Sequence, residues 1–179
     1  MLIQSKAKKF LGSCDLYMDW MESLMNTDYE IEMHQRPSGA IRDEIVSIAQ
    51  ELTSSWFTPN VPNDTYYDLG FQDVMILKVA GSIVSFIMFT CLDGTIQLSL
   101  MGTRSESRRK GFGSILIDKF CEHIKSIGFN RIMVYTVPPD KKPAYSATLS
   151  FYQKHGFRIT RRFEELWESG AIQLVKVLS

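Results

Sequence analysis

Residues 99–116, Ser-Leu-Met-Gly-Thr-Arg-Ser-Glu-Ser-Arg-Arg-Lys-Gly-Phe-Gly-Ser-Ile-Leu, constrain the fold of this chain more than any other stretch. Just upstream, Ile96, Leu98 and Leu100 alternate with Gln97, Ser99 and Met101, the period of a strand with one buried face. From Phe112 the period lengthens, and Phe112, Ile115, Leu116, Phe120, Ile124 and Ile127 fall on one face of a helix. The connection, Arg108-Arg109-Lys110-Gly111-Phe112-Gly113, delivers a strand to a helix N-terminus. Such a junction offers unpaired backbone N–H groups, the positive end of the helix dipole and three cations, a setting suited to phosphate.

Spacing narrows the ligand. A dinucleotide fingerprint needs a third glycine where this chain has Leu116, and no acidic residue stands near position 133 to hold a ribose. A Walker loop needs lysine after glycine, and here Lys110 precedes Gly111. What remains, Arg108-x-x-Gly111-x-Gly113, resembles the acyl-CoA pyrophosphate loop of the GNAT superfamily of N-acetyltransferases, Gln/Arg-x-x-Gly-x-Gly/Ala. A second segment, Tyr145-x-x-Thr148-x-x-Phe151-Tyr152-x-x-x-Gly156-Phe157, is similar to the family's Asn-x-x-Ala-x-x-Phe-Tyr-x-x-x-Gly-Phe helix. Its Phe-Tyr-x-x-x-Gly-Phe half is matched in full, and Tyr145 and Thr148 replace the commoner Asn and Ala. Two short motifs in order, on the elements that should carry them, weigh more than either alone.

The remaining pattern agrees with that resemblance from about Asp28 onward. Tyr29, Ile31 and Met33 alternate as a first strand ending before Pro37; Asp43 and Glu44 open a helix striped by Ile41, Ile45, Ile48, Ala49 and Leu52. Between Trp56 and Leu69, Pro59 and Pro62 read as breaks and Tyr66–Leu69 as a short helical turn, serving either as a ligand cover or as packing over a sheet edge. Strands at 74–79, 83–89 and 96–101 follow, joined by Ala80-Gly81-Ser82 and by the hairpin signal Asp93-Gly94. The helix from Gly113 ends at Gly128, and the strand–helix–strand passage to Ile132 and Val134 favours parallel pairing. A last helix over 145–155 and strands near 157–163 and 171–177 complete the pattern. The expected fold is α/β: a mixed, mostly antiparallel central sheet flanked by helices. The expected organisation is an N-terminal extension over 1–27, with an amphipathic helix carrying Tyr17, Trp20, Met21 and Leu24, and a GNAT domain over 28–179.

Composition bounds function. Twenty basic residues balance twenty acidic ones, which gives no support to a nucleic-acid or membrane-surface partner. Cys14, Cys91 and Cys121 form neither a disulfide framework nor a metal-ligand pair, so a reducing, cytoplasmic setting and no metal are expected. Residues 1–11 lack an apolar run of signal-peptide length, and nothing later reaches the length of a membrane span.

The resemblance implies acetyl-CoA as co-substrate and direct acetyl transfer to a primary amine, borne by a small molecule or a peptide. It places Arg108, Arg109, Lys110, Gly111, Phe112, Gly113 and Ser114 at the pyrophosphate, and Met101 and Thr103 along the pantetheine arm, with a backbone N–H near Met101 polarising the thioester. It makes Tyr152 the acid for the departing thiolate. His155, before the capping Gly156, reads as a surface imidazole at the helix end. No base is legible: residues 95–101 carry no acid, and Glu30, Glu32, Asp68, Asp73 and His34 are candidates from other elements. Because the strand before the pyrophosphate loop lacks a carboxylate, an inactive acyl-CoA-binding or interaction module with the same fold is the alternative. Trp56, Phe57, Tyr66, Tyr67 and Trp167 are available to line an acceptor pocket, and a homodimer contact would fall on the last strands or the N-terminal helix.

Overall fold

A computed structural model describes residues 28–178. The expected helix within 1–27 lies outside them. Seven strands form one sheet in the order β1-β2-β3-β4-β5-β7-β6. They are β1 (Tyr29–Gln35), β2 (Asp73–Val79), β3 (Ser82–Leu92), β4 (Thr95–Thr103), β5 (Arg131–Thr136), β6 (Arg158–Phe163) and β7 (Ala171–Val177). All neighbours pair antiparallel except β4 and β5, which are joined by a helical crossover and run parallel. The helices are α1 (Ala40–Leu52), α2 (Val61–Asp68), α3 (Phe112–Ser126) and α4 (Ser146–Lys154). The expected mixed, mostly antiparallel sheet with flanking helices is the observed one.

The central strands are buried on both faces, and their alternation divides two cores. Val74 and Ile76 of β2 point to one core with Ile45, Ile48 and Leu52 of α1 and Leu69 after α2. Met75 and Leu77 point to the other, with Leu116, Ile117, Phe120 and Ile124 of α3 and Tyr152 of α4. Period-2 side-chain alternation thus places α1 and α2 on one face of the sheet and α3 and α4 on the other.

Three expectations are corrected. The alternation expected through Ile96, Leu98 and Leu100 breaks: Met88 faces Leu100 while Phe89 faces Leu98, so Ser99 is the extra residue of a β-bulge. Beyond it the faces exchange; Leu98 lies in the α3-side core, whereas Leu100 packs against the α1-side core and Met101 against the α3 side. The region read as broken by Pro62 is instead helix α2, because a proline in the first turn has no N–H to lose there and a φ already suited to a helix. The buried stripe of α3 includes Ile117, while Ile127, just past the helix end, is exposed.

The two edge strands are guarded differently. On β1, Glu32 accepts from Lys78 of β2 at 2.7 Å and contacts His34 at 2.7 Å. On β6, exposed Arg158, Arg161 and Arg162 discourage strand addition.

Candidate active site

The sheet opens at its parallel pair. β4 and β5 are paired only at Ile96–Ile132, Gln97–Met133 and Leu98–Val134. β4 then runs on to Thr103 and β5 to Thr136 with no further pairs between them. The separation begins at the Ser99 bulge, which bends β4 and leaves it bonded to β3 alone. Into this opening runs a cleft of about 970 Å³, walled by residues 98–103 of β4 and 134–137 of β5 and its exit.

One end of the cleft is an anion cradle. Gly111, at φ 85°, caps α3 in a conformation that side-chain-bearing residues rarely adopt, and Arg109 also has positive φ. Among the described residues, the backbone N–H groups of 109–114 find no acceptor, the first α3 bond being Ile115 N–H to Gly111 C=O at 3.0 Å. Consecutive free amides at a helix N-terminus form a site for phosphate oxygens. Gly113 lies against Met101, Thr103 and Phe151 on the cleft wall, where a side chain would occupy the space. Two residues of the cleft wall, Thr65 and Thr136, have buried hydroxyls with no hydrogen-bond partner among the described residues.

The sequence-derived residues divide here. Met101, Thr103, Arg108, Arg109, Gly111, Phe112, Gly113, Ser114 and Tyr152 all line the cleft; Lys110 is exposed outside its wall. Arg108 is turned away from the cradle. Its guanidinium stacks 3.4 Å from the Trp56 ring centroid and Nε donates to the Thr103 carbonyl at 3.3 Å. Burial there lowers its pKa, a direction that leaves arginine charged. Tyr145 reaches the same loop, donating its hydroxyl to the Trp56 carbonyl at 2.6 Å.

Tyr152 packs its ring between those of Phe151 and Phe157, with centroids at 5.5 and 5.4 Å. Its hydroxyl makes no hydrogen bond among the described residues, and burial raises its pKa well above the ordinary phenol range. Of the acids singled out in the sequence only Asp68 lines the cleft, joined by Asp64 one helical turn earlier and by Glu168. Burial, and then the neighbouring Asp64, raise the Asp68 pKa. Glu32 and His34 are engaged with each other on β1, and Glu30 and Asp73 are also outside the cleft wall. Trp56, Phe57 and Trp167 line the cleft; Tyr66 and Tyr67 do not, and Tyr66 lies under Arg42.

His155 is not the surface cap expected. Its side chain is 8% exposed, with Nδ1 2.9 Å from Asp118 Oδ1 and Nε2 3.1 Å from Ser114 Oγ. Sequence could not bring these together, because Ser114 and His155 stand 41 residues apart on different helices.

A sheet parted between two parallel strands, with a free-amide helix terminus beside the gap, defines the acyl-CoA N-acyltransferase class of fold. The family model for the acetyltransferase (GNAT) domain matches residues 70–159, and the chain belongs to that family. Solved structures agree. A GNAT-family protein from Desulfovibrio desulfuricans superposes with a TM-score of 0.72 at 12% identity, covering 85% of this chain and 99% of its own. Ard1 from Thermoplasma volcanium gives 0.67 at 21% identity, covering 84% and 98%. A GNAT acetyltransferase from Elizabethkingia anophelis, solved with acetyl-CoA bound, gives 0.66 at 17%, with the same coverage. At such identities the likeness is one of fold. No curated protein sequence matches the chain.

Proposed function

We propose that this protein transfers an acetyl group directly from acetyl-CoA to a primary amine on a small molecule or peptide. The observation that carries the reading is the parting of β4 from β5 beside the free amides of 109–114. The acetyl-CoA complex of the Elizabethkingia relative supports the same choice of co-substrate. The diphosphate lies on the cradle, with Arg109 adding charge; the pantetheine arm follows Met101 and Thr103. A backbone N–H near Met101 polarises the thioester oxygen.

The amine nitrogen attacks the thioester carbon, a C–N bond forms and the C–S bond breaks. Asp68, directly or through water, takes the ammonium proton that frees the amine for attack, and the second N–H proton passes to solvent as the amide forms. The raised pKa of Asp68 makes it a better proton acceptor than an ordinary carboxylate. Tyr152 gives its proton to the departing thiolate and recovers one from solvent. Ordinary pKa values of about 10 for a phenol and about 8.5 for a thiol oppose this transfer. Burial raises the Tyr152 pKa, and desolvation of a thiolate leaving into the same site raises the thiol pKa with it, so burial of both does not widen the gap. Carboxylates of Asp64, Asp68 and Glu168 beside Trp56, Phe57 and Trp167 suit a cationic amine with an apolar body. We place the reaction in a reducing cytoplasm: the described cysteines, Cys91 and Cys121, are free, and no described helix is long and apolar enough to cross a membrane. No partner nucleic acid, membrane or metal is invoked.

Calorimetric titration with acetyl-CoA, followed by an amine-library screen read by thiol release, tests this. The wild type should bind at micromolar concentration, and Tyr152→Phe should lose about a hundredfold in kcat with affinity unchanged. Absence of binding by folded wild type sinks the reading. The absence of any acid at residues 95–101 favours a second reading, an acyl-CoA-binding module, for which binding without turnover of any amine is the expected result.

A further inference from the structure

The hydrogen-bonded chain Ser114–His155–Asp118 lies at the anion cradle, and the acetyl-transfer chemistry above makes no use of it. Ser114 and Asp118 are one turn apart on the same face of α3. His155 closes α4, its N–H held by the carbonyls of Phe151 and Tyr152 at 3.2 and 3.1 Å and its ring 4.7 Å from that of Phe151. A ring fixed by its own backbone and by Phe151 has little freedom to leave its two partners. We propose that His155, tied to Asp118, positions the Ser114 hydroxyl as a proton-linked donor to the diphosphate of the CoA thioester. This rests on the acetyl-CoA reading.

The protons decide the argument. An ionised carboxylate only accepts, so Nδ1 must carry a hydrogen toward Asp118. In the neutral ring Nε2 is then bare and accepts the Ser114 O–H. That uses the hydroxyl hydrogen and turns oxygen lone pairs toward the cradle, where they oppose an anion. In the imidazolium both nitrogens donate: Ser114 Oγ accepts from Nε2, and its O–H is released to donate to a phosphate oxygen. Binding a diphosphate therefore draws one proton onto His155. Asp118 from α3 favours that charge. Lys176 of β7, whose Nζ stands 4.0 Å from where a Cβ on Gly156 would sit, opposes it. Phe151 of α4 contributes no charge.

The same three groups could be aligned as a serine nucleophile relay. Ser114 sits in the diphosphate cradle, however, and the pantetheine arm separates diphosphate from thioester, so its hydroxyl does not meet the reacting carbonyl.

The probe is 3′-dephospho-CoA, because the phosphomonoester of CoA itself titrates near pH 6 and would mask the effect. Calorimetry on the full chain, in buffers of different ionisation enthalpy, reads proton uptake directly. Wild type should take up roughly one proton and bind about tenfold tighter at about pH 6 than at about pH 8. Ser114→Ala and His155→Ala should each bind about tenfold more weakly at the lower pH and lose the pH dependence, and the double variant should be no weaker than either single one. His155→Gln, which keeps an N–H toward Ser114, should restore affinity without proton uptake. Asp118→Asn should reduce uptake even where His155→Ala melts early. S-acetylpantetheine, lacking the diphosphate, should bind all variants alike.

Retained pH dependence in His155→Ala, additive losses, parallel loss of S-acetylpantetheine, or fluorophosphonate labelling of Ser114 would each overturn the proposal. If wild type binds neither CoA nor dephospho-CoA, the acetyl-CoA reading itself falls. If it binds both with no proton uptake and no response to His155, only this inference falls.

Discussion

A methyl group added at Gly113 would meet Met101 Cε and Thr103 Oγ1 at 3.5 Å and Phe151 at 3.9 Å, ordinary contacts that require no movement. Gly113 is helical, so alanine there lowers the entropy lost on folding, and Gly113→Ala should leave stability unchanged or raise it by about 0.5–1 kcal/mol. The same methyl occupies the cleft wall beside the cradle, and acetyl-CoA affinity should fall by about tenfold or more, read by thermal melts alongside calorimetry. Gly102 is the opposite case. Its added Cβ would lie 2.7 Å from Phe86 Cε1 and 2.9 Å from Leu52 Cδ1, inside a core packed to its limit. Gly102→Ala should cost about 1–3 kcal/mol, seen as a lower urea midpoint with an unchanged slope. An unaltered midpoint would mean that Phe86 and Leu52 can retreat. The sequence shows why one glycine was legible and the other was not. Gly111 and Gly113 lie in a phosphate-loop pattern, whereas Gly102 is small because β4 passes close under Phe86 and α1, a tertiary fact. His155 was misread for the same reason, since its partners come from another helix.

Trp56 stands between three elements: the connection after α1, the β4–α3 loop through Arg108, and the lead into α4 through Tyr145. A partly desolvated cation–π stack contributes about 1–2 kcal/mol and the Tyr145 hydrogen bond about 1 kcal/mol, so together they hold residues 53–60 against the cleft. Trp56→Ala should release Arg108 and speed amide hydrogen exchange in 53–60 by about tenfold or more, with exchange in β2 and β3 unchanged. Equal acceleration in the central strands would instead report global destabilisation. At this scale the sequence was most legible where periodicity is long: α1, α3 and the β2–β3–β4 meander need only alternation and a helical stripe. It was least legible where one residue changes the pattern. The Ser99 bulge shifts register without any glycine or proline to announce it, and the opening between β4 and β5 depends on that shift. Pro62 misled in the other direction, because proline breaks a helix interior but is tolerated in a first turn.

Across the molecule, two cores share one sheet, and ion pairs at its margins connect the layers. Glu51 of α1 accepts from the Ser105 backbone and lies 3.5 Å from Arg104, joining the α1 layer to the β4–α3 loop. Glu32 joins the edge strand β1 to Lys78 of β2. Hydrogen bonding from Lys78 and then His34 holds the Glu32 pKa below its ordinary value, and bonding from Ser105 does the same for Glu51. A carboxyl whose folded pKa is depressed contributes stability that is complete above the unfolded value, about 4.3, and is lost as pH falls through the folded value. Asp68 has the opposite sign: raised by burial and by Asp64, its ionisation costs stability that is regained as pH falls through its folded value. Melting temperature should therefore fall below about pH 4.5 as Glu32 and Glu51 lose their charge, with protonation of Asp68 working against the fall. Both glutamates are about one-third exposed, so salt screens them and the acid limb should be shallower at high ionic strength. Glu32→Gln and Glu51→Gln should each flatten the acid limb, while Asp68→Asn, which removes the opposing contribution, should steepen it. An acid limb of full depth in the Glu32→Gln, Glu51→Gln double variant would place the acid sensitivity elsewhere in the chain.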